Sequence, residues 1–408
     1  MLFTKYLKFS VFIIPLTLLL IIGFNRLIDP YALYGGPTIE GINANKPAFS
    51  SHLRLSKAAA IRQQKPHAIV LGTSRGEYGI DPEHPGWKES PVYNLSLSSA
   101  NLYEAFRYLQ HAQAIQPLQQ VVLMLDFFMF NPVKNPNEAD FTEELLATSF
   151  EGKPQKNDLT DQLATLASLD AITASIETVI RQHKMDGSLY LANGMQEPTL
   201  NALNISKSGG HHKAFLSNEK GYFNSHYDQF SFKTKQRDSW RIYRKLLLLA
   251  QQQGIDLTIV ISPSHARQFE TIAAKGIWET FEQWKRQLVV LNESVAAEQG
   301  KRPFALWDFS GYNHYTTEAV PPLGDTKAQM QWYWESSHYK KELGDLVLDR
   351  MFNYKHPDRI IDKDFGVQLT SKNIETHLQK IRNDRQRWRA SNPEDVEEVE
   401  KLKRLSTM

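Results

Sequence analysis

The sequence predicts an α/β protein built on a parallel sheet and tied to a membrane at its N-terminus. Three observations predict it. Five short apolar runs, at 68–71, 92–95, 121–125, 257–261 and 304–307, are each bounded by polar or turn-forming residues. Helical patterns fill most of the gaps between them. One long apolar run, 9–24, stands at the start of the chain. Runs that are apolar at every position suit strands buried on both faces. Strand alternating with helix then gives a parallel sheet covered on both faces.

The N-terminal run is slightly shorter than the ~20 residues of a standard spanning helix. Tyr6, Leu7, Leu27 and Ile28 extend it, because Lys8 and Arg26 can snorkel to the head groups. A cleaved signal peptide is the competing reading, but no small-x-small site follows, only Asn25-Arg26-Leu27-Ile28-Asp29-Pro30. An uncleaved signal anchor over 1–30 is therefore expected. Lys5 and Lys8 ahead of the run favour a single-pass protein of the cytoplasmic (inner) membrane with its bulk on the periplasmic, extracytoplasmic side.

A Gly/Pro-bearing linker and a lead-in helix (50–64) fill 31–65, and the α/β domain is expected over 66–355. Asn101-Leu-Tyr-Glu104 has the form of a capping box and opens a helix to about 114. Residues 236–253 form another helix, with Gly254 as its C-cap. A helical region covers 266–298, interrupted near Gly276. The stretch 131–235 breaks the rhythm and is too long for a plain loop, so an inserted cap or lid is expected there. The charged C-terminus, 356–408, reads as a helical tail, with an amphipathic helix over 374–389 and another, solvated helix over 394–404.

Composition narrows the function. The 408 residues are 41% hydrophobic and 23% charged, enough for one large domain with an insertion or for two domains. A net charge of +2 supplies no field for nucleic acid, and none is expected as a partner. The chain has no cysteine, which excludes disulfides, thiolate metal sites and a cysteine nucleophile.

The first strand runs straight into Gly72-Thr73-Ser74-Arg75-Gly76. The flanking glycines let the backbone turn sharply, so Ser74 is either a nucleophile lifted clear of the strand end or an ordinary turn and cap residue. A base is available about 260 residues on, in Trp334-Glu335-Ser336-Ser337-His338-Tyr339. Spacing of three sets Glu335 beside His338. A carboxylate there would hold the imidazole in the right tautomer while it takes the hydroxyl proton. Glu-x-x-His also occurs in di-iron bundles, but the matching acidic helices are missing, so neither metal nor other cofactor is expected. Both segments follow parallel strands at their carboxyl ends, where open α/β sheets build their sites.

The same edge offers further candidates. The turn after the second strand contains Ser99, whose backbone N–H can act as an oxyanion donor or whose side chain can simply cap a helix. Asp126 and Asn131 follow the third strand and can line the cleft. His265 and Arg267 follow the fourth, suited to capping a helix or, ranked just below that, to binding an anionic or sugar substrate. Asp308 ends the fifth strand and is an alternative third member of a triad, ranked below Glu335. His211-His212 lies in a polar Gly-bearing stretch read as loop.

Together these segments resemble the SGNH (GDSL-like) hydrolase superfamily, above all its membrane-anchored branch associated with exopolysaccharide and cell-envelope O-acylation. Gly72-Thr73-Ser74 matches the nucleophile block, with Thr73 where the family has an acidic residue. Glu335-x-x-His338 matches the last block, usually Asp-x-x-His. Ser99 stands where the second block has glycine, and the third-block Gly-x-Asn-Asp is absent, Asp126 and Asn131 being nearest. The resemblance implies a three-layer α/β/α sandwich with a five-stranded, flavodoxin-like sheet. It also implies a metal-free serine esterase or O-acyltransferase acting on acyl, above all acetyl, esters of extracytoplasmic glycan or lipid-linked substrates. Such proteins often work beside a multi-spanning membrane acyltransferase. The weakened inner blocks leave a second reading open: a non-catalytic binding or scaffold protein of a polysaccharide assembly complex that retains the fold.

Overall fold

The computed structural model describes residues 2–133, 140–155, 159–182, 189–224 and 229–406. The chain divides into two compact units. One comprises Met1–Lys65, Gln110–Ile115 and Ala139–Leu191; the other comprises Pro66–Leu109, Gln116–Glu138 and Ala192–Met408.

The second unit carries the sheet. Strands β1 (Ala68–Leu71), β2 (Val92–Asn94), β3 (Gln120–Leu125), β4 (Asp256–Ile261) and β5 (Ala305–Asp308) fall within one residue of the sequence expectation. They pair in parallel in the order β2-β1-β3-β4-β5. Ile69, Val70, Val122, Leu123 and Ile259 are fully buried, as all-apolar strands require. The sheet has a sixth strand that the sequence reading lacks. Strand β6 (Val367–Gln368) pairs antiparallel with β5 through Trp307↔Gln368 and Asp308↔Val367. Two residues are too few to show a period, and the surrounding charge hid them. The chain leaves β1 outward to β2 and returns to β3, so the order reverses between β1 and β3, where a ligand crevice is expected.

The helices, in chain order, follow local signals. They begin with α1 (Leu2–Ile28), α2 (Leu53–Gln64), α3 (Ser74–Gly79) and α4 (Leu102–Ile115). Asn101 and Glu104 cap α4 reciprocally: each side chain accepts the other's backbone N–H, at 3.0 and 3.3 Å. Then come α5 (Leu159–Leu166), α6 (Leu169–Ile180), α7 (Pro198–Lys207) and α8 (Gly210–Phe223). Helix α9 (Ser239–Gln253) starts on an Asp238 cap and ends at Gly254, whose φ is +69°. Helices α10 (Ala266–Ala274) and α11 (Trp278–Glu298) are separated at Gly276, as the sequence predicts. Helices α12 (Lys341–Phe352), α13 (Ile374–Ser391) and α14 (Pro393–Ser406) complete the chain.

Three expectations are corrected. The stretch 131–235 is not one cap, since 139–191 groups with the N-terminal unit and 192–235 with the sheet unit. Within the first unit, α5 and α6 pack on α1, and Asn25 Nδ2 donates to Leu166 O at 2.7 Å. The last helix, expected to be solvated, has a packed face as well. Helix α14 packs on α8 and α10, burying Val396 and Val399, and its Asp395 and Glu398 pair with Arg267. Its charge pattern looked solvent-directed because the partner cation lies about 130 residues away. Finally, Ser208-Gly-Gly-His-His212 is the start of α8 rather than a loop, with Gly209 and Gly210 at positive φ leading into it.

Helix α1 holds a 20-residue segment, Phe9–Ile28, with mean hydropathy 2.3, long and apolar enough to cross a membrane. The following segment is organised rather than slack. Asn43 Oδ1 accepts Ile39 N–H, and its Nδ2 donates to Leu27 O and Pro37 O.

Candidate active site

The turn that carries Ser74 is dictated by close approach. A Cβ on Gly72 would stand 2.8 Å from Met124 O, so only glycine lets the chain leave β1 this close to β3. Thr73 then caps α3, its Oγ1 accepting Arg75 N–H while donating to Asp126 Oδ2 at 2.6 Å. Ser74 is the first residue of α3 and is half-buried.

His338 arrives on a small hairpin. Tyr333 bridges Tyr339, Trp334 N–H donates to His338 O at 2.9 Å, and Lys340 N–H donates to Trp332 O at 2.7 Å. The loop between holds Glu335 and His338 together. Ser74 Oγ lies 2.6 Å from His338 Nε2. His338 Nδ1 is hydrogen-bonded to Glu335 Oε1. Glu335 Oε2 also accepts Ser337 N–H at 2.8 Å, and Ser337 Oγ donates to Oε1 at 3.2 Å. The Tyr78 ring packs 4.6 Å from the imidazole. Burial alone would raise the Glu335 carboxyl. The His338 charge and hydrogen bond, the Ser337 N–H and Arg75 outweigh it and hold the group below the ordinary glutamate range. A carboxylate therefore faces Nδ1 and, in the neutral imidazole, favours the tautomer with the proton on Nδ1, which leaves Nε2 to accept from Ser74.

Arg75, which sequence reasoning passed over, ties these parts together. Its guanidinium is buried, reaches Asp126 Oδ2 at 2.8 Å, and donates to Ser337 O and the Tyr222 hydroxyl at 3.1 and 3.2 Å. Burial disfavours its charge, but Asp126 more than compensates and raises its pKa. The only signal was a charged residue inside a turn bounded by buried glycines. Helix α8 was missed too. Its Asn218 accepts from Ser336 Oγ at 3.0 Å and donates to Ser337 Oγ at 3.2 Å, steadying the histidine loop.

A cavity of about 380 Å³ opens over Ser74, walled by Ser99, Asp126, Phe128 and Tyr222 among others. Ser99 holds φ +59°, the left-handed region that glycine enters freely and serine seldom does. Its N–H has no hydrogen-bond partner among the described residues, and neither has that of Ser74. Asp126 and Asn131 also line the cavity, but both are struts. Asp126 holds Thr73 and Arg75. Asn131 donates to Gln229 O at 3.0 Å and accepts from Ser231 N–H at 3.3 Å.

The remaining candidates lie elsewhere. Arg267 is fully buried, paired bidentately with Glu219 at 2.8 Å and with Asp395 and Glu398, so it meets no substrate. His265 is the N-cap of α10. Its Nδ1 accepts Arg267 N–H at 3.2 Å and its Nε2 donates to Glu318 O at 2.8 Å. Asp308 pairs with Lys285 at 2.7 Å and His377 at 2.9 Å, leaving Glu335 as the carboxylate on His338. His211 bonds to Trp334 O, and His212 to Pro321 O and Glu398. Among the described residues no group of three or more His, Asp or Glu side chains is arranged to hold a metal.

Chemically, a hydroxyl, an imidazole and a carboxylate in hydrogen-bonded series can generate an oxygen nucleophile at neutral pH. Comparison with protein-family models, with curated proteins and with solved structures finds no match.

Proposed function

We propose that this protein is a membrane-anchored serine esterase or O-acyltransferase of the SGNH type, acting on acyl esters of extracytoplasmic glycan. The observation that carries the reading is the series Ser74 Oγ to His338 Nε2 at 2.6 Å, with His338 Nδ1 bonded to Glu335. The 2-1-3-4-5 order of the parallel strands supports a flavodoxin-like core, and with it the three-layer sandwich of that superfamily.

In this reading Ser74 Oγ attacks the ester carbonyl carbon and its proton passes to His338 Nε2. The oxyanion is met by the free N–H groups of Ser74 and Ser99. Collapse breaks the bond to the departing alcohol, which takes the proton from Nε2. Water or a sugar hydroxyl then attacks the acyl-enzyme and gives its proton to Nε2. The bond to Oγ breaks and Ser74 recovers the proton. Water makes an esterase; a sugar hydroxyl makes a transferase. Glu335 in place of the usual aspartate is accommodated by the tight loop, and Ser99 in place of glycine by its left-handed backbone. Helix α1 anchors the chain, and Lys5 and Lys8, ahead of its apolar segment Phe9–Ile28, favour a site outside the cytoplasm, beside a multi-spanning acyl donor partner.

A fluorophosphonate probe tests this directly. It should label the detergent-solubilised wild type, and Ser74→Ala and His338→Ala should abolish labelling and acetyl-ester hydrolysis. A wild type that is folded, unlabelled and inert toward acetyl esters would instead be the non-catalytic scaffold.

A further inference from the structure

A second cleft, of about 360 Å³, adjoins the first and shares Ser217, Asn218 and His338 with it. The catalytic series leaves it unexplained, because Ser74 does not line it. One side of its wall, supplied by α7 and the start of α8, carries hydrogen-bonding side chains without protein partners among the described residues. Asn201 is only 7% exposed, yet its side-chain amide makes no hydrogen bond among the described residues. The same holds for the side chains of Asn204, Ser208 and Ser217. A residue nine-tenths buried whose unpartnered amide opens onto a cleft holds its hydrogen-bonding capacity in a fixed place, ready for a ligand that fills the cleft. The half-buried Tyr78 ring, packed on His338, adds an apolar face.

Lys213 completes the pattern. It lines the cleft, is exposed, and has no carboxylate partner among the described residues. Glu335, the acidic group on the same wall, is engaged by His338. Paired amide donors and acceptors suit vicinal hydroxyls, an aromatic face suits the C–H face of a sugar ring, and a lone ammonium suits a carboxylate. We propose that the second cleft is a glycan subsite that takes an acidic sugar residue next to the one whose ester is processed at Ser74. The inference rests on reading Ser74 as a glycan-ester nucleophile. A chain crossing Ser217 and Asn218 would fill both clefts and present one position to His338.

Calorimetry on the full-length protein in detergent, with an oligogalacturonate pentasaccharide as probe, tests the subsite. Wild type should bind it, and binding should survive fluorophosphonate labelling of Ser74. Asn204→Leu and Lys213→Ala should each weaken binding about tenfold or more. Both positions are exposed, so melting temperature should show both variants folded. Absence of binding to wild type, or equal binding by both variants, overturns the subsite. Equal binding of neutral cellopentaose overturns the acidic assignment. If wild type binds the pentasaccharide but resists the fluorophosphonate, the cleft stands and the esterase reading falls. If it labels but does not bind, the reverse holds.

Discussion

Gly344→Ala is the sharpest test of how the site is held together. Helix α3 begins with Ser74 and helix α12 begins three residues after His338, and the two pack against each other. Their closest approach is glycine on glycine. A Cβ at Gly344 would stand 1.7 Å from Gly79 O, and a Cβ at Gly79 would stand 1.9 Å from the Tyr339 ring. A carbon–oxygen contact relaxes at about 3.3 Å. The alanine methyl therefore forces the helices apart by roughly 1.5 Å, against backbone that has no rotamer to yield. The 2.6 Å contact between Ser74 and His338 would stretch to about 4 Å, beyond a hydrogen bond. A misplacement of this size costs about 10²-fold in rate, and overpacking costs about 1–3 kcal/mol in stability.

The assay is p-nitrophenyl acetate hydrolysis per folded molecule, beside thermal melting. Leu348→Ala is the control, four residues along the same helix and fully buried. It removes core volume, at about 2–5 kcal/mol, without wedging the helices apart. Gly344→Ala should lose far more rate than Leu348→Ala for equal or smaller loss of stability. Wild-type turnover in Gly344→Ala, or rate loss that merely follows stability in both, would refute the argument that the glycine contact sets the distance from Ser74 to His338.

Glu335→Gln keeps the shape of the loop but removes the charge that fixes the His338 tautomer. Ester turnover should fall by about 10²–10⁴-fold, with fluorophosphonate labelling slowed in parallel; an undiminished rate would remove Glu335 from the mechanism. His265 should make the fold acid-sensitive. Burial, above all, pushes its pKa down from the ordinary 6.5 to about 3, with Arg267 acting in the same direction. The unfolded chain thus binds one proton more between those values. Stability falls as pH drops from 6.5 toward 3, by on the order of 5 kcal/mol in full. Melting curves of wild type and His265→Gln across that range should differ in slope, the variant being flatter; parallel curves would clear His265.

Much of the fold was legible because the strands carry their own signal. Residues 68–71 and 121–125 are apolar at every position, which only a strand buried on both faces or a short buried helix permits, and the flanking turn residues decide for the strand. The pair Glu335 and His338 was legible for a similar reason, since three residues of spacing confines them to one turn. Strand β6 was not legible, because a two-residue strand owes its existence to β5 rather than to its own composition. Arg75 and Arg267 show the same limit from the other side. Arg75 carries no signal of its own in the sequence and Arg267 reads as a substrate-binding or capping residue, yet both are buried because their partners, Asp126 for one and Glu219 with Asp395 and Glu398 for the other, come from distant segments. A buried cation is intelligible only once the carboxylates that balance it are in view.

That limit explains why the residues that hold Ser74, His338 and Glu335 together were missed while those three were singled out. Ser74, His338 and Glu335 are local patterns: a turn after a strand, and two side chains three apart. What brings them to 2.6 Å is non-local, namely Arg75 bridging the β3 end to the histidine loop, Asn218 on α8 bracing Ser336 and Ser337, and the glycine contact between α3 and α12. Ser99 follows the same logic. A serine at φ +59° is strained by roughly 1–2 kcal/mol relative to glycine, and such strain persists only where the surrounding structure imposes it. Its position on the cavity wall beside Ser74, with its N–H unpaired among the described residues, supplies a use for that strain in meeting an oxyanion. Ser99→Gly should then raise stability by about 1 kcal/mol in thermal or denaturant unfolding while leaving a backbone N–H at the same place. A loss of stability on that substitution would mean that the serine side chain, rather than the turn, holds the conformation.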